Sequence, residues 1–271
     1  MAGKFQGKVA VITGSSRGIG KAIAVELAKN GASIVLNGRN EQRLQETEQI
    51  IRSIHSNVIS VCCDVSDVQA SEALIETAIQ QFGRLDILVN NVGVSMRGTV
   101  AELNPDVFKK VFESNVYGSV NPTIPAIPHL RKTKGSILFI SSLAGIRGLP
   151  GLSAYCSSKM ALRAVAESIR LEEKHNGIHV GLIQVGITEI EHNKETIAAD
   201  GSMKTLKSRD KSNVQTTEQV AIATLKNIRN RKFITTLTGI GKVNKFMQAR
   251  FPMLVERIIL KNLHKFEEKS E

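Results

Sequence analysis

The stretch that most restricts this chain lies at its start. The apolar run Lys8-Val9-Ala10-Val11-Ile12 leads straight into Thr13-Gly14-Ser15-Ser16-Arg17-Gly18-Ile19-Gly20, and a helical pattern opens from Ile19 through Leu27. A short run of branched apolar residues suits a parallel strand buried on both faces. The three glycines behind it meet three separate needs. Gly14 permits a tight turn, Gly18 lets backbone N–H groups approach a diphosphate, and Gly20 lets the helix pack closely on the sheet. Strand, glycine turn and helix in one unit are the context a dinucleotide phosphate site requires.

Further apolar runs at Ser33 to Leu36, Val58 to Cys62, Ile87 to Val89, Ile137 to Ile140 and Val180 to Ile183 alternate with helical patterns, and Phe233 to Leu237 adds a seventh. Such alternation implies an α/β fold: a doubly wound, Rossmann-type parallel sheet of about seven strands with helices on both faces. In such sheets ligands bind beyond the carboxyl ends of the strands, and Gly14, Asn90, Ser142 and Gly186 each lie at or just past an expected strand end. At 271 residues the chain is expected to form one core domain over 1–238, carrying a helical extension over 239–271.

Tyr155 and Lys159 stand four apart in a segment, Ala154 through Lys174, that reads as one long helix. Residues at that spacing share a helix face. A unit charge held roughly 4 Å from a phenol favours phenolate by up to ~4 kcal/mol at intermediate dielectric, and such a tyrosine can exchange a proton with a carbonyl or alcohol oxygen. Ser142 lies thirteen residues upstream of the tyrosine, with Ser141 beside it as the alternative hydroxyl.

With these motifs in order, the chain resembles the short-chain dehydrogenase/reductase family from about Gly7 to Thr236. Asn115, Ser142, Tyr155 and Lys159 fall at the spacing of that family's catalytic tetrad. The resemblance implies that Tyr155 is the general acid or base, that Ser142 donates to the substrate oxygen, and that Lys159 also holds the nicotinamide ribose. Asn115 would extend a proton relay to Lys159 through its helix backbone and a water. The cofactor-binding set implied is Gly14, Ser16, Arg17, Gly18, Ile19, Gly20, Arg39, Asp64, Val65, Asn91, Gly93, Tyr155, Lys159 and Thr188, with no metal. Two positions depart from the pattern: Val92 replaces the usual alanine after Asn90-Asn91, and Val185 replaces the usual proline before Gly186.

Cofactor choice follows from charge. NAD-preferring sites place an acid about twenty residues after the glycines, whereas this chain has Leu36-Asn37-Gly38-Arg39-Asn40. Arg39 and Arg17 are expected to bracket the extra phosphate of NADP(H). The net charge is also informative, because after residue 200 fifteen Lys and Arg stand against six Asp and Glu, which puts nine of the eleven net positive charges there. A basic last quarter whose aromatics are Phe233, Phe246, Phe251 and Phe266 carries no nucleic-acid motif, so nucleic acid is excluded as a partner.

Beyond Leu237, Val243, Phe246, Met247, Leu254, Val255, Ile258, Leu263 and Phe266 follow helical spacing interrupted at Pro252, among lysines and arginines. This extension either folds over the active-site mouth or rests peripherally on an anionic membrane; an ordinary packing helix is the third reading. It resembles the tails of hydroxysteroid dehydrogenase-like members, which implies a bulky apolar ketone of steroid, retinoid or lipid type. Reduction of a 3-oxoacyl thioester on an acyl-carrier protein, and a non-catalytic NADP(H)-sensing role, are the alternatives. The small residues of the Ala154–Lys174 helix point to a homodimer or tetramer. Three cysteines with one adjacent pair, and no long apolar N-terminal run, fit a reducing cytoplasm. Residues 188 to about 214 read as an irregular, mobile substrate loop.

Overall fold

The computed structural model describes residues 3–189, 195–206 and 214–263. Parts of the expected substrate loop, and Phe266 with the end of the extension, lie outside the described residues. In chain order the first half comprises β1 (Val9–Ile12), α1 (Gly18–Lys29), β2 (Ser33–Gly38), α2 (Glu41–Arg52), β3 (Val58–Cys62), α3 (Val68–Phe82), β4 (Ile87–Asn90) and α4 (Pro105–Phe112). A π turn over Glu113–Tyr117 leads into α5 (Gly118–Thr133), β5 (Ser136–Ser142), a 3-10 turn (Leu143–Gly145), α6 (Ser153–Glu172) and β6 (His179–Val185). The chain continues with β7 (Glu195–Ile197), β8 (Met203–Thr205), α7 (Thr217–Asn230), β9 (Ile234–Thr236), α8 (Gly239–Arg250) and α9 (Pro252–Lys261).

Seven strands form one parallel sheet in the order β3-β2-β1-β4-β5-β6-β9. Its inner strands are apolar on both sides, because successive side chains point to opposite faces and each face meets helices. Ala10, Ile12, Ile34, Leu36, Leu138, Ile140 and Ile183 join α1 and α7 residues such as Ile23, Leu27, Val220 and Leu225 in one core. Val11, Val35, Ile137, Phe139, Val180 and Leu182 join α3, α5 and α6 residues such as Leu74, Leu130 and Leu162 in the other. The strand order reverses between β1 and β4, and a doubly wound sheet opens its ligand crevice there.

One expectation needs correction. The segment after Thr188 is not wholly irregular: β7 and β8 pair as an antiparallel hairpin in the register Thr196 with Lys204. Ile197 is buried against Met96, Val107, Val111 and Ala154, and its backbone bonds to the β4–α4 loop through Arg97 N–H to Ile197 O (2.8 Å) and Ile197 N–H to Ser95 O (3.0 Å). A buried apolar side chain and edge pairing outweigh the segment's polar composition.

Candidate active site

The glycine turn leaves β1 and enters α1. Gly14 and Gly18 both adopt φ +59, a region that residues with a Cβ rarely enter. Gly20 has an ordinary backbone but no free space: a Cβ there would lie 2.4 Å from the Gly14 carbonyl oxygen and 2.5 Å from Asn91 Nδ2. Asn91 causes that closeness. Its Nδ2 donates to the carbonyls of Thr13 (3.1 Å) and Gly14 (3.0 Å), and its N–H donates to Thr13 Oγ1 (3.0 Å). Asn91 therefore ties β4 to the turn. Arg17, the N-cap of α1, makes no side-chain cap bond to the helix, and the first turn of α1 holds no acid. A cradle cleared of side chains at an uncapped helix N-terminus fits a diphosphate. Ile19 anchors that turn by packing on the core.

Val92 fills space beside this turn, since a Cβ on Gly14 would meet Val92 Cγ2 at 3.2 Å and one on Gly118 would meet Val92 Cγ1 at 3.5 Å. The larger residue is accommodated because two glycines face it. At the end of β2, a Cβ on Gly38 would lie 3.2 Å from Ser16 Oγ, so Ser16 stands where an acidic side chain would otherwise begin. Arg39 Nη1 pairs with Asp64 Oδ2 at 3.2 Å on the open rim of the crevice. Partial burial pulls the Asp64 carboxyl upward, but bonds from Ser66 N–H and Oγ and the Arg39 charge hold it below the ordinary carboxylate range. Val65 beside it is buried.

The second group of residues surrounds Lys159, which is buried on α6. Its Nζ donates to the Ile140 carbonyl of β5 at 3.1 Å and lies 5.9 Å from the centre of the Tyr155 ring. Four-residue spacing puts both side chains on one face of α6, as expected. Ser142 lies two residues beyond Ile140 on β5, and its Oγ accepts from Ala144 N–H at 3.1 Å. Ser141 is buried, and its Oγ donates to the Lys159 carbonyl at 3.4 Å. Strand alternation thus separates the two hydroxyls, and Ser141 packs against α6.

Asn115 sits in the π turn, fully buried. Its Oδ1 accepts from Val94 N–H (2.7 Å), and its Nδ2 donates to the Val94 carbonyl (3.0 Å) and to Ser158 Oγ (2.9 Å). Gly93 makes room for both groups, because a Cβ there would lie 3.1 Å from Lys159 Nζ and 3.2 Å from Asn115 Oδ1. Past β6, Val185 pairs with Ser142 in the sheet, and Thr188 Oγ1 donates to the Gly186 carbonyl at 3.3 Å. The sequence reading missed Ser158 and the backbone anchors at Val94 and Ile140. Backbone carbonyls leave no mark in a sequence, whereas Ser158 carries a hydroxyl directly beside Lys159.

Comparison with known proteins bears on the family and the fold. The family model described as short chain dehydrogenase matches residues 8–201. The chain belongs to the short-chain dehydrogenase/reductase family. Its members are oxidoreductases of small molecules, and the sheet is their Rossmann-type nucleotide-binding fold. A relative named 3-dehydrosphinganine reductase, from Danio rerio, is 35% identical over 86% of this chain and 72% of its own length. Dehydrogenase/reductase SDR family member 7B from Bos taurus is 30% identical over 97% of this chain and 83% of its own length. The 11-beta-hydroxysteroid dehydrogenase-like 4A protein of Arabidopsis thaliana is 39% identical over 69% of this chain and 62% of its own.

A solved short-chain dehydrogenase/reductase from Burkholderia phymatum, in complex with NAD, covers 93% of this chain and 96% of its own with a TM-score of 0.81; at 24% identity it shows the shared fold. An alcohol dehydrogenase from Thermococcus sibiricus, complexed with 5-hydroxy-NADP, superposes over 85% of this chain and 95% of its own with a TM-score of 0.75 at 26% identity. Among the described residues no helix is long and apolar enough to cross a membrane, and no cluster of His, Cys, Asp and Glu could hold a metal. The three cysteines are free.

Proposed function

We propose that this enzyme is an NADP(H)-dependent reductase of a bulky apolar ketone, working in the direction of a secondary alcohol or its reverse. The observation that carries the reading is the buried Lys159 ammonium, held by the Ile140 carbonyl on the face it shares with Tyr155 and beside Asn115. The cofactor, when bound, supplies or accepts the hydride. Gly14, Ser16, Gly18 and Ile19 form the turn that would hold its diphosphate, while Gly20 and Asn91 keep that turn against the sheet. Asp64 and Val65 would meet the adenine, and Gly93 and Thr188 would line the nicotinamide half of the site.

Tyr155 donates its phenolic proton to the substrate oxygen in reduction and takes it back in oxidation. Lys159 holds a positive charge beside that phenol and stabilises the anion left behind. Ser142 donates to the same oxygen as charge develops on it. Asn115 fixes the β4–α4 loop on Ser158 and, through the π turn's backbone and a water, would replenish the proton by way of Lys159.

The missing acid at Gly38, with Arg17 and Arg39 nearby, supports the phosphorylated cofactor. The names of the sphinganine and hydroxysteroid relatives support an apolar, extended ketone. A homodimer through the small residues of α6, a peripheral membrane contact through the α8–α9 extension and a cytoplasmic setting belong to the same reading. The test is turnover of a panel of steroid, long-chain and small ketones with NADPH and with NADH. Reduction of apolar ketones at the expense of NADPH is expected, and a folded protein that turns over none of them with either cofactor would overturn the proposal.

A further inference from the structure

The loop that joins Ser142 to Tyr155 is held from outside the sheet. It leaves β5 through the turn Leu143–Gly145 and enters α6 at Ser153, and Arg147 stands between them. That side chain is only 21% exposed, although arginine is ordinarily a surface residue. Its Nη1 donates to Gln248 Oε1 of α8 at 3.1 Å, and its Nη2 lies 3.6 Å from Glu256 Oε2 of α9. The planar fork of a guanidinium suits two acceptors on separate elements. Glu256 is the only acid between Gly239 and Lys261, among five Lys and Arg, and Arg147 is the only cation between Leu143 and Leu152. The lone carboxylate of a basic segment thus meets the lone cation of the loop.

The start of α8 is held as well. A Cβ on Gly241 would lie 2.9 Å from Leu143 Cδ2, so the first turn of α8 rests on the residue that follows Ser142. Thr238 caps α8 by accepting from Gly241 N–H at 3.0 Å and holds φ +67, a region that β-branched residues rarely adopt. A residue keeps such a conformation where its surroundings fix it, and a Cβ on Gly186 would lie 3.2 Å from Thr238 Cγ2. Helix α8 is therefore seated against the ends of both β5 and β6.

Between Leu143 and Arg147 lies Ala144, whose N–H donates to Ser142 Oγ at 3.1 Å. A hydroxyl oxygen that accepts from Ala144 keeps its own proton for another acceptor. In the reaction proposed above, that acceptor is the substrate oxygen. The same turn meets α6 at Gly145, where a Cβ would lie 3.0 Å from the Lys159 carbonyl oxygen and from Ser141 Oγ. The turn is thus held by α6 at Gly145 and by the terminal helices at Leu143 and Arg147.

We propose that Arg147 is a positioning residue for the reaction: it clamps the loop to α8 and α9, so that the Ala144 N–H stays on Ser142 Oγ and the serine proton points at the substrate. This rests on the role given to Ser142 above. Arg147→Met keeps the stem of the side chain and removes the fork. It should lower kcat about tenfold and leave the KM for NADPH within about twofold, since a misplacement of about 1 Å can cost about 100-fold and a loosened turn shifts by less. Placed in a Ser142→Ala protein, the same substitution should cost less than about twofold, because the group it acts through is gone. Arg147→Glu should behave like Arg147→Met, and adding Glu256→Arg should recover most of the rate, because the pair re-forms in the opposite sense. Equal losses in the native and Ser142→Ala backgrounds, or no loss in either, overturn the proposal, as does a reversed pair no faster than Arg147→Glu alone.

Hydrogen exchange reads the same clamp without turnover. The Ala144 N–H should exchange at least about tenfold faster in Arg147→Met than in the native chain, with the amides of β1 and β4 unchanged. Unchanged exchange at Ala144 overturns the clamp whatever the kinetics, and faster exchange throughout the sheet makes Arg147 a stability residue and equally overturns it. Faster exchange confined to the loop, in a protein that reduces no ketone, refutes the assigned reaction and leaves the clamp standing.

Discussion

Replacing Gly20 with alanine adds one methyl group where none fits. The new Cβ would sit 2.4 Å from the Gly14 carbonyl oxygen, while ordinary contact begins at 3.4 Å, so the turn must retreat from α1 by about 1 Å. That movement breaks the bonds from Asn91 Nδ2 to the Thr13 and Gly14 carbonyls. Two hydrogen bonds at roughly 0.5–1.5 kcal/mol each, with overpacking at about 1–3 kcal/mol, place the loss at about 2–6 kcal/mol. Each kcal/mol lowers the Tm of a domain near this size by about 2–4 °C, so a fall of at least about 4 °C is expected. NADPH affinity should drop by about tenfold or more, because the same movement displaces the phosphate cradle. The assay pairs thermal unfolding with calorimetric NADPH titration, and Gly239→Ala serves as control since a Cβ there meets nothing within 4 Å. A Gly20→Ala protein with native Tm and native affinity would show that the turn is looser than these distances require.

Tyr155→Phe should keep cofactor affinity and lose at least ~10²-fold in turnover, as measured by steady-state kinetics beside a binding titration; native turnover would remove Tyr155 from proton transfer. Arg39→Asp should erase or reverse a preference for NADPH over NADH, because two acids would then face the phosphate where Arg39 now pairs with Asp64. Titration of both cofactors checks it, and equal affinities in the native chain defeat the premise. His179 is buried, bonded to Ser136 Oγ and the Lys232 carbonyl, and burial foremost pushes its pKa from 6.5 down to about 4. The unfolded chain therefore binds more protons between those values, so stability is full above pH 6.5 and declines by about 3 kcal/mol as pH falls to 4. Urea unfolding across that window should show the slope, and His179→Gln should flatten it.

The sheet was legible because its inner strands are apolar on both faces, and β1 and β3 run over the residues expected from their apolar runs. The margins were not. Strand β2 extends through Asn37 and Gly38, which pair with Val61 and Cys62 of β3, and Asn37 Nδ2 reaches the carbonyls of Val61 and Cys63, so the donor end of this buried amide is satisfied within the sheet. Helix α5 contains Pro122, Pro125 and Pro128, residues that read as breakers, yet it persists with Pro122, Ala126 and Leu130 buried against the domain. The hairpin of β7 and β8 escaped notice because three-residue strands carry too little pattern. At the site, helical spacing made the Tyr155 and Lys159 pair readable, whereas the Ile140 carbonyl that holds the ammonium and the Val94 backbone that holds Asn115 come from tertiary placement.

The docking of Ile197 beneath Met96 also bears on how this chain can change its ligand. The connection from Gly186 to Thr216 is fastened at Ile197 by backbone bonds to the β4–α4 loop. One long closure becomes two short ones, and the entropic cost of closing a loop grows only logarithmically with its length. Insertions or exchanges on either side of the anchor therefore alter the walls above Tyr155 while the sheet, the glycine turn and the lysine beneath remain as they are. A scaffold arranged this way lets substrate preference diverge among descendants at little expense to folding.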